Sequence, residues 1–323
     1  MIAAFRSLLA GLRAVLLAPH LLAVAALAML VIAVPFGVLL GSRLQTSLAN
    51  QPPIAQYGLE IDAEWWAEFR EHARGLDATF TPTIIGFAAP LDNLSALADG
   101  TARPWALAGP VVLGVAIWAW LWGGLIERFA RGRAIGVREF ARSGWRHAPA
   151  LMAVSAIGAL VSLALYATVH AFLFGPVFRW LADRAASERD AFFWRVALYA
   201  VFLALWMGAA LVIDYTRVAV VAAKAGVRDG LAGAIGFVRT HPGSVVALYL
   251  VCGALFMALL SLYAAAEIYG GTQLGGWRAL AIGQGYIFGR LGIRLMLAAS
   301  EVALFQAATT GAPPVGPSAP VAA

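Results

Sequence analysis

Two arginines and a glutamate interrupt an otherwise apolar segment, "FGRLGIRLMLAASEVALFQAA", at residues 288–308. On a helix turning about 100° per residue, Arg294 lies about 40° from Arg290 and Glu301 about 20° from it, so the three share one stripe. A guanidinium at the centre of a bilayer costs about 2.5–3.5 kcal/mol on insertion scales. That cost turns the stripe away from lipid, towards a bundle interior or a polar cavity. Arg290 and Arg294 carry planar forks suited to phosphate or carboxylate, which makes them the candidate anion-binding pair. Asp214 in "VIDY" and Glu127 in "LIER" are the carboxylates that neighbouring segments bring to the same cavity in this reading. In the plainer reading the arginines snorkel to the cytoplasmic interface, and Glu301 is their neighbour there.

No catalytic set accompanies them. The five histidines, His20, His72, His147, His170 and His241, form no HExxH or other zinc spacing, so no metal site is expected. The P-loop and the G-x-S-x-G elbow are absent. "GQGYIFG" follows no strand and is not a dinucleotide fingerprint; its Gly285 and Gly289, with Gly292 beyond, form a GxxxG spacing that lets helices approach closely. A non-enzymatic protein without cofactors is the expectation.

The elements that position the stripe are membrane helices. Of 323 residues, 62% are hydrophobic and 12% charged, about half the charge of a soluble domain. Six apolar stretches reach the roughly 20 residues needed to cross a bilayer, near 14–41, 105–126, 148–175, 194–221, 244–268 and 278–305. The first follows Arg6 and Arg13 and runs unbroken to Leu40, longer than a signal peptide's apolar core, which predicts an uncleaved anchor. Charge orients the chain. With the N-terminus inside, the inner segments hold 12 basic and four acidic residues, and the outer ones nine basic and twelve acidic. The positive-inside rule then places both termini in the cytoplasm. The net charge of +6 faces anionic lipid headgroups, and no nucleic-acid motif accompanies it. Trp105, Trp118, Trp120, Trp122, Trp145, Trp180, Trp194 and Trp277 fall near the proposed helix ends, where indoles favour the interface. All but one of the basic residues are arginine, a bias that with the Ala and Gly content suggests a GC-rich bacterial genome. Cys252 has no partner for a disulfide and reads as a small core residue.

A repeat organises the spans. "GLRAVLLAPH" (11–20), "GVREFARSGWRHAP" (136–149) and "GVRDGLAGAIGFVRTHP" (226–242) each precede an odd-numbered span. Each predicts an amphipathic elbow helix in the cytoplasmic interface. Each even span carries an acid near its inner end, Glu127, Asp214 and Glu301. The helix macrodipole disfavours a carboxylate there, so each needs a partner. The arginine of the following elbow is the natural candidate, pairing Glu127 with Arg138, Asp214 with Arg228 and, to close the ring, Glu301 with Arg13. The fold class is therefore all-α: a polytopic membrane protein, six transmembrane helices as three hairpins with cytoplasmic elbow helices. With its "RHAP", "RTHPG" and "IDYTR" passages, the chain resembles a loose group of bacterial membrane proteins of unknown function. They are similar to the membrane domain fused to some glycerophosphodiester phosphodiesterases. That resemblance implies architecture only, since no phosphodiesterase domain is present.

The domain spans 1–308, with one long outer loop at 42–104. Within it "EWWAEFREHARGL" predicts an amphipathic helix near 60–76, with Trp65, Phe69 and Leu76 on one face. Phe80, Ile84, Ile85 and Phe87 are too apolar for a free loop and predict a packed lid. Residues 309–323, rich in Pro, Gly and Ala, predict a disordered cytoplasmic tail. The expected function is that of a bacterial inner-membrane protein that binds anionic lipid headgroups or serves as the membrane partner of another protein. A transporter of an anionic or amphiphilic solute, using Arg290 and Arg294, is the alternative.

Overall fold

The structure is a computed structural model that describes residues 2–48, 63–80, 86–101, 105–270 and 277–310. Among the described residues there are helices and no strand. They run α1 (Ile2–Leu16), α2 (Pro19–Leu48), α3 (Ala63–His72), α4 (Ala88–Asp99), α5 (Ala108–Arg131) and α6 (Val137–Leu165). Then come α7 (Phe178–Ala182), α8 (Glu188–Ala222), α9 (Val227–Thr240), α10 (Pro242–Gly270) and α11 (Trp277–Thr310). Six helical stretches are long and apolar enough to cross a membrane: Pro19–Arg43, Trp105–Arg131, Val137–Ala182, Glu188–Ala222, Pro242–Gly270 and Trp277–Thr309. They match the six expected spans, and the protein is an all-α polytopic membrane protein. Many large apolar side chains on these helices are exposed, Leu27, Val31, Val38, Leu160, Leu163, Leu250 and Leu262 among them. Hydrocarbon covers such faces at no cost.

The elbows differ in how they join their spans. α1 and α9 end before Pro19 and Pro242, and the chain starts a new helix at each proline, where the missing N–H belongs to an unpaired first turn. The second elbow does not break. Pro149 lies inside α6, which continues through π-helical turns at Tyr166–His170 and Leu173–Val177 into α7. At its far side α8 begins with Ser187, whose hydroxyl accepts from the Asp190 amide at 3.3 Å, an N-cap that fixes where the fourth span starts.

The chain divides into two compact units. One comprises Met1–Ala23, Ala116–Leu259 and Ile287–Ala323. Its core is built from Leu121, Leu125, Phe202, Tyr215, Leu248 and Leu295, all nearly inaccessible. Here each elbow lays a glycine on the C-terminal half of an even span. Gly144 of α6 meets Trp120 and Gly123 of α5, and Gly230 of α9 meets Thr216 and Val220 of α8. Gly11 of α1 meets Met296 and Ser300 of α11. The first elbow thus packs on the last span, so the ring is closed by backbone approach. A Cβ at Gly11 would stand 2.6 Å from the Met296 carbonyl and 2.8 Å from the Ser300 amide, both backbone atoms that cannot swing aside. Gly11→Ala should therefore destabilise by about 1–3 kcal/mol, the usual cost of overpacking. A thermal melt in detergent reads it, with Gly233→Ala as control, because no atom lies within 4 Å of a Cβ there.

The second unit comprises Val24–Val115 and Leu260–Tyr286. The helix expected near 60–76 is α3, whose Arg70 and His72 are exposed while Phe69 is half-buried and meets Phe80 edge-on at 5.9 Å. The side chain of Trp65 and residues Ile84 and Ile85 lie outside the described residues, as does the tail beyond Thr310. The 86–101 segment is latched to α10: the Phe87 amide donates to the Glu267 carboxylate at 2.8 Å. Gly86 makes room for this, with φ +70° and a hypothetical Cβ 2.5 Å from Glu267 Oε2. The left-handed backbone disfavours a side chain here, and any Cβ would push the Glu267 carboxylate aside. Gly86→Val should open the latch, read as faster proteolysis of the 86–101 segment with the spans intact.

Candidate functional site

Within the first unit, α5, α8 and α11 line a cavity of about 170 Å³. Its walls are Trp122, Ile126, Asp214, Arg217, Arg294, Leu297, Ala298 and Glu301. That is room for several waters or one small oxyanion. Half of the lining is apolar and half ionisable, an unusual wall for a chain with so few charges.

Each ionisable group has its own arrangement. Asp214 pairs with Arg217 one turn along α8, at 2.5 Å. Tyr249 on α10 reaches in between α8 and α11. Its hydroxyl lies 2.8 Å from Asp214 Oδ2 and also hydrogen-bonds Glu301 Oε1. Glu301 is 5% exposed and has no ion pair among the described residues. Arg294 differs from all of these. Its guanidinium carbon sits 4.0 Å from the centre of the Trp118 ring and 5.3 Å from that of Trp122. No hydrogen bond or ion pair to it exists among the described residues. Stacking on an aromatic face contributes about 0.5–2 kcal/mol, but it leaves the five N–H donors of the fork unused. The residue as a whole remains exposed through the cavity it lines.

Of the stripe, then, Arg294 and Glu301 come together with Asp214. Arg290 does not: it is exposed and outside the lining. The four-residue separation from Arg294 carries it about 6 Å along the axis, enough to leave the cavity.

The expected partnerships of the three acids are replaced by others. Glu127, 8% exposed, is held by Arg131 on its own helix at 2.5 Å rather than by Arg138. Arg131 also reaches Glu139 at the start of α6. Asp214 takes Arg217 rather than Arg228, and Glu301 takes Tyr249 rather than Arg13. Arg13, Arg138 and Arg228 are exposed and make no ion pair among the described residues. For Glu127 and Asp214 the reason is local, since residues three or four apart on a helix already face each other; Glu301 is reached instead by Tyr249 from α10. Arg128, beside Glu127, is buried, and its Nε has no acceptor.

Three contributors escaped the sequence reading. Tyr249 sits in the apolar run "ALYLVCG"; the signal it gave is a phenol, which when buried seeks a hydrogen-bond partner. Trp118 and Trp122 read as interface anchors, yet their i,i+4 spacing makes one face, and that face carries Arg294. Their rings lie 5.4 Å apart. Of the glycines at 285, 289 and 292, only Gly289 approaches a neighbour closely, at Leu259. His147 is bound within the elbow, beside Ser143, and Ser143 donates to the Gly123 carbonyl at 2.9 Å. No group of three His, Cys, Asp or Glu side chains converges among the described residues.

No family model matches the chain, and no curated protein and no solved structure matches it either. The site's own chemistry has to carry the functional reading.

Proposed function

We propose that this integral membrane protein binds the anionic headgroup of a membrane lipid, with Arg294 as the binding residue and no catalytic step. The observation that supports the reading most directly is the Arg294 guanidinium: lodged on two indoles in a cavity, with every carboxylate around it already engaged. A partly desolvated cation without an acceptor gains more from an incoming phosphate or carboxylate than a solvated one does. The cavity admits an oxyanion and not an acyl chain, so the chains would lie along the exposed apolar faces of the helices. In this reading the protein sits in a bacterial inner membrane with both termini cytoplasmic, as its charge distribution supports. The likeness to phosphodiesterase-linked membrane domains contributes architecture and no activity.

One observation favours a second reading, carriage of a small anionic solute. A site for a lipid headgroup alone has no use for the Asp214–Tyr249–Glu301 cluster, two of whose members line the same cavity.

Native mass spectrometry of the protein released from phosphatidylglycerol nanodiscs tests the proposal. Wild type should retain phosphatidylglycerol, Arg294→Ala should lose it, and Arg290→Ala, which lies outside the lining, should keep it. Retention by Arg294→Ala to the wild-type extent would refute the assignment.

A further inference from the structure

We infer that Asp214, Tyr249 and Glu301 form a proton-binding site, and that its proton sets how tightly the neighbouring Arg294 cavity holds an oxyanion. The inference rests on the anion-binding reading above and adds a regulator to it.

The argument is a count of protons. Asp214 Oδ2, Tyr249 Oη and Glu301 Oε1 stand in a row joined by two hydrogen bonds. A phenol has one proton to donate, and an ionised carboxylate has none. Two separate O–H···O bonds among three oxygens take a second proton, carried by one of the carboxyl groups; a single proton shared between both contacts would leave two ionised carboxylates facing each other across one phenol. Asp214 already faces the Arg217 guanidinium at 2.5 Å. Glu301 has no cation paired with it among the described residues and is 5% exposed. The second proton belongs on Glu301: its O–H donates to Tyr249 Oη, and Tyr249 O–H donates to the Asp214 carboxylate.

The groups facing Glu301 can be named from each element. α8 brings Asp214, Tyr215 and Arg217; α10 brings Tyr249 and Cys252; α11 itself brings Arg294, with Arg290 one turn further. α5 offers only Trp122 and Ile126 at this wall, and α1 places Gly11 beside Ser300. Tyr215, inaccessible and without a hydrogen-bond partner for its hydroxyl, stands within electrostatic reach of both acids.

Loss of the proton changes the cavity's charge. With Glu301 neutral, the lining carries Arg217 and Arg294 against Asp214, an excess of one positive charge. When the proton leaves to water through the cavity, the Glu301 carboxylate joins the same lining and cancels that excess. Tyr249 then donates to one acid at a time, and Arg294 acquires a competing anion. Proton and oxyanion therefore bind with positive cooperativity. By linkage, the anion must raise proton affinity by the same factor that the proton raises anion affinity.

The test uses anions whose charge stays constant between about pH 5 and about pH 9. Inorganic sulfate, titrated calorimetrically into the full chain in zwitterionic nanodiscs, reports a free oxyanion. Phosphatidylglycerol, scored by native mass spectrometry, reports a lipid headgroup. Whichever source binds, wild type should bind it about tenfold or more tightly at the acid end, within the usual range of coupling between sites. Glu301→Gln, which keeps a donor towards Tyr249, should bind at the acid-end affinity throughout. A readout on unaltered protein guards against misfolding of that variant: adding the ligand in weak buffer should draw protons from solution, up to one per anion. A flat affinity with no proton uptake, or an unchanged pH dependence in Glu301→Gln, would overturn the coupling while leaving anion binding intact. Absence of binding to wild type at every pH, or binding undiminished by Arg294→Ala, would instead overturn the reading on which it rests.

Discussion

Tyr249→Phe should lower the unfolding free energy by about 2–4 kcal/mol, because one hydroxyl serves two carboxyl groups and each unmade bond to a buried group costs about 1–3 kcal/mol. The substitution removes a single oxygen from α10. Asp214 keeps Arg217, so its loss is partial; Glu301, 5% exposed, keeps nothing among the described residues. Packing is almost unchanged, which separates this loss from a cavity effect. The companion substitution decides the cause. Glu301→Leu in the Tyr249→Phe background removes the stranded carboxyl group along with its former partner, and replacing both partners by apolar groups is close to neutral. The double variant should therefore be more stable than Tyr249→Phe alone. Chemical denaturation in mild detergent, run as a double-mutant cycle, should return a coupling of about 0.5–3 kcal/mol. Additive losses would mean that Tyr249 and Glu301 do not interact, and the proton count would lose its basis with them.

The spans were legible because length and apolar composition are all that a bilayer demands. α8, α10 and α11 each contain one of the predicted stretches, and α2 and α5 cover theirs apart from the first few residues. The third span was legible too, but not its fusion with the preceding elbow: a proline is tolerated in a helix's first turn, and in α6 the helix continues unbroken past Pro149. The acids of the even spans were visible as Glu127, Asp214 and Glu301; their partners were not. A scan for charge looks for an opposite charge, and the partner of Glu301 is a tyrosine. Elbow arginines looked like partners because they recur, yet Arg131 and Arg217 were nearer on the same helices. What recurs in the structure is glycine against helix backbone, at Gly11, Gly144 and Gly230, a feature that an inventory of charged residues passes over. The angular argument puts Arg290, Arg294 and Glu301 on one face but says nothing of depth along it, and Arg290, one turn from Arg294, lies outside the cavity lining.

Two arginines in the last turn of α5, three residues apart, should respond to the same substitution with opposite signs. Arg128 is 8% exposed, lacks an acceptor at Nε and has no ion pair among the described residues. A desolvated cation without a counter-charge weakens a fold, and replacing buried charges by apolar groups of similar length often stabilises by about 1–4 kcal/mol. Arg128→Met should accordingly raise the melting temperature in detergent. Arg131, half-exposed between Glu127 and Glu139, holds both acids. Arg131→Met should lower the melting temperature, since it strands Glu127, which is 8% exposed. If topology alone explained these residues, each would be one more positive charge on the inner face and both variants would behave alike. A fall in both melting temperatures in detergent would show that Arg128 has an acceptor within the protein. A rise for Arg128→Met in detergent that disappears in phosphatidylglycerol nanodiscs would assign the acceptor to the lipid headgroup instead.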